Sequence, residues 1–218
     1  MNGEQDKLAE LIELLALERL EENLFRGQSQ DLGWGTVFGG QVLGQALSAA
    51  AQTVPEERQV HSMHGYFLRP GRVNRAVIYE IDRIRDGKSF TTRRVVAIQG
   101  GRAIFNLSAS FQIEEDGLSH QDPLPPIRGP EGLFSEQQWA HKVADKIPAP
   151  LRERALGNRP IELRPVDPIN PMNPVVKDAN HAVWFRAAHK LPDTPALHRY
   201  LLAYASDMSF LPTAMRPH

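Results

Sequence analysis

Cysteine is absent from the 218-residue chain, which excludes disulfides, thiolate metal ligands and a thiol nucleophile and leaves the redox character of its compartment unmarked. An excess of either charge is also missing, since 25 lysines and arginines stand against 26 aspartates and glutamates. No net field therefore argues for nucleic acid or an anionic membrane as a partner. No apolar run is long enough to span a bilayer. The N-terminal stretch MNGEQDKLAELIELLALERLEENLF mixes leucines with acids, where a secretory signal would show a basic segment, an apolar block and a cleavage site. A soluble, cytoplasmic protein is the resulting expectation. GQVLGQ lacks the third glycine and the preceding strand of a dinucleotide fingerprint, and no P-loop, Gly-x-Ser-x-Gly elbow or histidine zinc motif occurs.

What is present organises itself by period. Leu8, Leu11, Ile12, Leu15 and Leu20 recur at steps of roughly three and four residues with acids between them, predicting one amphipathic surface helix. A glycine-bearing loop, FRGQSQDLGWGTVFGG, leads into GQVLGQALSAAAQTV, which carries no charge over about four turns. A helix without a polar face must be enclosed, and Gly44, Ala46, Ala49 and Ala50 let neighbouring backbone come close.

The period then changes to two. In RAIFNLSASFQI, Ala103, Phe105, Leu107, Ala109, Phe111 and Ile113 share one face of a strand, with Asn106, Ser108, Ser110 and Gln112 on the other. AVIYEIDRIR and SFTTRRVVAIQ read as two further strands, with turns at RDGKS and QGGR where glycine is expected to supply positive φ. VHSMHGYFLRP supplies a fourth. An α+β unit over residues 1–115, a sheet around a helix, is the prediction. Residues 116–160 are dense in proline and read as a connector holding one short helix capped by Ser135. From 161 onward two strands, IELRPVDP and HAVWFRAA, precede a helix that starts at Thr194 and Pro195 and runs to Pro212.

Within that last helix, Asp207 is the single charge between Tyr200 and Met215. A helix C-terminus disfavours a carboxylate, and the neighbours of Asp207 at helical spacing are Tyr200, Ala203, Tyr204 and Phe210. Either this face borders solvent, or Asp207 bonds a neighbouring loop, or the carboxylate is partly desolvated, has a raised pKa and acts as a general base toward water. Gly39 and Gly40 open the enclosed helix, where bare N–H groups can bind an anion or polarise a carbonyl; close packing of the sheet is the other reading. His61 and His64 lie on opposite faces of a strand by their spacing, so they do not converge on a metal. One of the two is expected to face the core, and His61 stands as a candidate substrate-binding residue.

Four blocks, LFRGQSQDLGWGTVFGGQVLGQAL, VPEERQVHSMHGYFLRPG, RIRDGKSFTTRRVVAIQGG and YLLAYASDMSFLP, resemble the acyl-CoA thioesterase II family from about Leu8 to His218. The resemblance implies a double hotdog, two consecutive units in each of which an antiparallel sheet wraps a long helix, the second unit (161–218) being incomplete here. It implies hydrolysis of fatty acyl-CoA, assembly into homo-oligomers, and no metal or redox cofactor. It also places the family's catalytic acid on Asp207 and implies a threonine and a glutamine further along that share the attacking water; no residue of this chain matches those two, so the chain corresponds to the first three-quarters of a family member. Arg69 and Arg72 are candidates for the CoA phosphates beside the reading of solvated surface charge. A truncated, inactive chain that at most binds acyl-CoA or serves as an assembly partner is the alternative. In that reading Leu201, Leu202, Phe210 and Leu211 lack partners. A hotdog hydratase is disfavoured, because no aspartate–histidine pair shares a helix face.

Overall fold

The computed structural model describes residues 2–170 and 173–218. Helix α1 spans Asn2–Leu15, and strands β1 (Glu18–Glu21) and β2 (Leu24–Gly27) follow as a hairpin. The single helix expected through Leu20 thus stops at Leu15. Glu18, one of the acids that fitted a helical polar face, is a cross-strand partner instead: it sits opposite Arg26, and Arg26 Nε donates to Glu18 Oε2 at 2.7 Å. Opposite charges facing each other across a ladder favour the strand.

Helix α2 (Gly39–Ala51) is buried at every residue from Gly40 to Ala50, as the absence of charge requires. It packs against a six-stranded antiparallel sheet of order β1-β2-β4-β5-β6-β3, completed by β3 (Arg58–Phe67), β4 (Val77–Asp86), β5 (Phe90–Gln99) and β6 (Arg102–Ile113). Phe105, Leu107, Ala109 and Phe111 of β6 face the helix, so the period-two reading holds from Phe105 to Phe111; a break in register opposite Ala97 and Ile98 leaves Ile104 buried in place of Ala103. Val77, Tyr79 and Ile81 of β4 and Val95 and Ala97 of β5 join them, each large side chain contributing about 1.5–3 kcal/mol by leaving water. Between β5 and β6, Gly100 and Gly101 take φ of 56° and 74°, as a tight hairpin demands. Gly87 does not take positive φ; the β4–β5 turn closes through its N–H, which donates to Phe90 O at 2.9 Å.

One inward position of β5 is an arginine. Arg93 is 1% exposed, and its Nε and Nη2 donate to Thr53 Oγ1 and Thr53 O, both at 2.9 Å, while Nη2 also meets Asp86 Oδ1 at 2.6 Å. Thr53 lies just beyond the C-cap residue of α2. The guanidinium thus sits at the negative end of the helix dipole and satisfies the carbonyl of the residue that follows the C-cap.

Beyond the sheet come α3 (Glu136–Lys142), α4 (Ala149–Leu156), the paired strands β7 (Ile161–Pro165) and β8 (Val183–Ala187), α5 (Pro195–Ser206) and α6 (Phe210–Met215). Ser135 caps α3 as expected, in a reciprocal capping box with Gln138. Thr194 occupies the N-cap position of α5 without a side-chain bond. The helix ends at Ser206 and not at Pro212; Asp207 is its C-cap, and Pro212 lies in the first turn of the separate helix α6, where a missing N–H costs nothing.

The chain divides into two compact units, one of Glu10–Gly117 with Leu191–Asp207, the other including Leu118–Lys190 and Met208–His218. In the first unit α5 packs directly on α2. Gly40 and Gly44, one turn apart, make the contact possible: a Cβ on Gly40 would run into Tyr204 O and the Phe38 ring, and one on Gly44 would lie 3.2 Å from Tyr200 O. Leu201, Ala203, Tyr204 and Ala205 are buried there. Of the four residues expected to lack partners, Leu201 is therefore well packed, whereas Leu202, Phe210 and Leu211 are exposed.

Candidate active site

Asp207 stands where two helix ends meet. Its own helix, α5, ends there, and the N-terminus of α2 lies beside it: the Gly40 N–H donates to the carboxylate, and a Cβ built on Gly39 would fall 2.5 Å from Asp207 Oδ2. The carbonyl end of α5 disfavours negative charge, and the N–H end of α2 favours it. Burial is the larger influence and pushes the carboxyl above the ordinary aspartate value, with the Gly40 N–H pulling the other way. A carboxylate held half-buried with a raised proton affinity is suited to take a proton from water.

In the same unit the carboxylate borders a cleft of about 310 Å³. Val37, Val42, Phe67, Ile104 and Phe105 give it apolar walls, and Arg69 adds one cation, whose Nη1 donates to Ala103 O at 2.7 Å. Val37 is fixed by its N–H bond to Gly71 O at 2.9 Å. Apolar walls with a few convergent polar groups describe a small-molecule site. A smaller cavity of about 80 Å³ in the other unit, lined by Ser135, Glu136, Arg159 and Glu162, differs in kind. Glu136 is ion-paired to Arg159, and Glu162 to Arg164 and Arg186.

Asp207, Gly39 and Gly40 thus converge, with the Gly40 N–H engaged by Asp207 and Gly39 lining the cleft beside it. His61 does not join them. A break in register between Val60 and Ser62 turns His61 outward, so that both His61 and His64 are exposed and neither faces the core. His61 Nε2 lies 2.9 Å from Ser110 Oγ, and its ring meets Phe90 edge-on at 5.8 Å. Arg72 does not line the cleft, whereas Arg69 does. Among the described residues no group of three or more His, Asp or Glu side chains is placed to hold a metal ion. Phe67 is the site residue that the sequence did not single out; its signal is a large aromatic ending a strand immediately before LRPG.

Known proteins resemble the chain along nearly its whole length. A family model described as the acyl-CoA thioesterase N-terminal domain matches residues 29–112, and one described as acyl-CoA thioesterase matches residues 151–218. Acyl-CoA thioesterase 2 of Haemophilus influenzae is 42% identical over 98% of the chain and 74% of its own length. The chain belongs to the acyl-CoA thioesterase II family. Among solved structures, the acyl-CoA thioesterase II TesB2 of Mycobacterium marinum is 38% identical, with a TM-score of 0.71 over 96% of this chain and 71% of that one. A protein with a hot dog fold from Alicyclobacillus acidocaldarius, 21% identical, reaches a TM-score of 0.70 over 95% of this chain and 72% of its own, and it carries the fold alone. In this acyl-CoA thioesterase II family member, the enclosed helix of the hotdog is α2.

Proposed function

We propose that the protein hydrolyses fatty acyl-CoA to free fatty acid and CoA by direct attack of water on the thioester carbonyl. The observation that carries this reading is the half-buried Asp207 carboxylate on an apolar-walled cleft, held at the N-terminus of α2 by the Gly40 N–H. Asp207 accepts a proton as the water oxygen bonds to the carbonyl carbon. The resulting oxyanion lies within reach of the α2 N-terminus, where the Gly39 N–H is the available donor. The tetrahedral species then collapses, the C–S bond breaks, and the proton held by Asp207 goes to the departing sulfur. No acyl-enzyme forms, and no step draws on a nucleophilic side chain.

The names of the relatives supply the substrate class, and assembly of copies into a homo-oligomer accompanies the reading. The test is release of free thiol from a long-chain acyl-CoA, followed with a thiol reagent, for the chain and for Asp207→Asn. The substitution keeps the shape and removes the base, so turnover falls by about two to four orders of magnitude. Near-normal turnover in the variant overturns the assignment of Asp207, and no thiol release from the unaltered chain favours an inactive acyl-CoA-binding or assembly partner.

A further inference from the structure

Phe67 ends β3 and is 54% exposed, an unusual position for a phenylalanine whose strand partner is deeply buried. That partner, Phe105, is 1% exposed and lies opposite Phe67 in the ladder. Their rings stand 4.9 Å apart at 43°. Gly65, two residues earlier on the same face, leaves room for the Phe105 ring, since a Cβ there would fall 2.6 Å from Phe105 Cζ. One face of Phe67 is therefore held by the core, and the rest of the ring projects into the cleft. Its edge reaches Gly39: Cε1 and Cζ both lie 2.9 Å from the point a Gly39 Cβ would occupy, and Asp207 Oδ2 lies 2.5 Å from that same point. Ring and carboxylate thus crowd the same backbone position, and only a glycine there lets them do so.

We infer that Phe67 is a positioning residue of the site, whose ring holds water off one side of the Asp207 carboxylate and leaves the α2 N-terminus as the approach for the thioester. The inference rests on the reading of Asp207 as the base. An apolar surface beside a carboxylate takes the place of hydrating water without offering a hydrogen bond, which strengthens the carboxylate as a proton acceptor. Burial is the leading cause of the raised proton affinity of Asp207, and Phe67 is the large apolar side chain placed to supply it from β3. The competing charges are few. Arg69 is the other charged residue lining the cleft, residues 37–44 at the start of α2 carry no charge, and Asp207 is the only charged residue from 200 to 207.

The experiment is a carbon-13 NMR titration of the Asp207 carboxyl, assigned by its loss in Asp207→Asn, in the unaltered chain and in Phe67→Ala, Phe67→Gln and Phe67→Leu. This reads the carboxyl whether or not thioester is turned over, so it is separable from the thiol-release assay that tests Asp207 as base. In Phe67→Ala and Phe67→Gln the proton affinity of Asp207 falls about tenfold, whereas Phe67→Leu, which keeps an apolar side chain, holds it near the unaltered value. Should the alanine variant fail to fold, the contrast between glutamine and leucine decides. Titration of the glutamine variant like the unaltered chain, or a fall in the leucine variant as large as that in glutamine, overturns the inference. Where turnover is measurable, the acid limb of the pH–rate profile moves to lower pH in the alanine and glutamine variants, a displacement that a merely structural loss does not produce.

Discussion

The carboxylate of Asp207, the C-cap of α5, accepts a hydrogen bond from the backbone N–H of Gly40 in the first turn of α2. That bond joins the beginning of α2 to the end of α5 within the same unit. It satisfies an N–H that a helix start leaves over while holding a charge at the terminus where the dipole favours it. The carboxylate nevertheless remains costly, because burial outweighs the bond in setting its proton affinity.

A first expectation concerns pH and stability. The native carboxyl binds its proton more tightly than it does in the unfolded chain, where an aspartate titrates near about 3.9. The native state therefore holds more protons between the unfolded value and the raised folded one, and stability falls as pH rises through that window. Asp207→Asn carries no such charge. Its melting temperature matches that of the unaltered chain below the unfolded value, exceeds it increasingly as pH rises through the folded value, and stays above it at neutral pH. Melting curves from acid to neutral pH check this; a variant less stable at neutral pH contradicts it.

Gly40→Ala tests the helix contact. The added Cβ meets Tyr204 O and the Phe38 ring, and a backbone carbonyl cannot swing aside as a flexible side chain can. The helices must separate, at a cost on the order of 1–3 kcal/mol, and Asp207 moves away from its donor. Denaturant unfolding measures the cost. The backbone amide resonance of residue 40 loses its response to Asp207 titration in the same variant.

Arg93→Met tests the polar support at the far end of α2. The substitution preserves length and apolar stem, and it strips the carbonyl of Thr53 of its guanidinium partner. The loss is about 1.5–3 kcal/mol, the scale for hydrogen bonds to a charged group. Amide exchange localises it: protection falls in residues 48–54 first and remains in β6. Uniform loss of protection through the sheet would contradict the assignment of Arg93 to the helix end.

The parts of the fold that were legible in the sequence are those in which one force acts alone. An uncharged stretch of four turns has to be enclosed, and α2 is; alternating apolar and polar residues in RAIFNLSASFQI have to face opposite ways, and from Phe105 to Phe111 of β6 they do. The residues that misled are those whose role depends on a partner distant in sequence. Glu18 fits a helix surface equally well until Arg26 is seen across the hairpin. His61 turns outward because of a register break that no spacing rule reveals. The same holds at the site. Asp207 is conspicuous as a lone charge, yet its Gly40 donor is invisible without α5 lying on α2, and Phe67 looks like an ordinary strand aromatic until its ring is found beside Gly39. Arg93, an arginine at an inward position, contradicts the apolar pattern of β5 and becomes intelligible only through Thr53 and Asp86.

The glycine-lined contact between α2 and α5 also bears on how the chain is made. On the ribosome, α2 and the sheet strands β2 to β6 are all synthesised well before the α5 segment appears, and a unit with its own core can collapse as it emerges. The Gly40–Gly44 face of α2 then lacks the α5 backbone that packs on it, and stays so until translation reaches residue 207. Closing so long a loop adds little entropy cost beyond that of a shorter one, since the penalty grows only with the logarithm of length. The wait is one of time and not of energy. During it the nascent chain carries an open seam into which any other helix with small residues can settle, and arrival of the α5 segment both seals that seam and delivers the carboxylate.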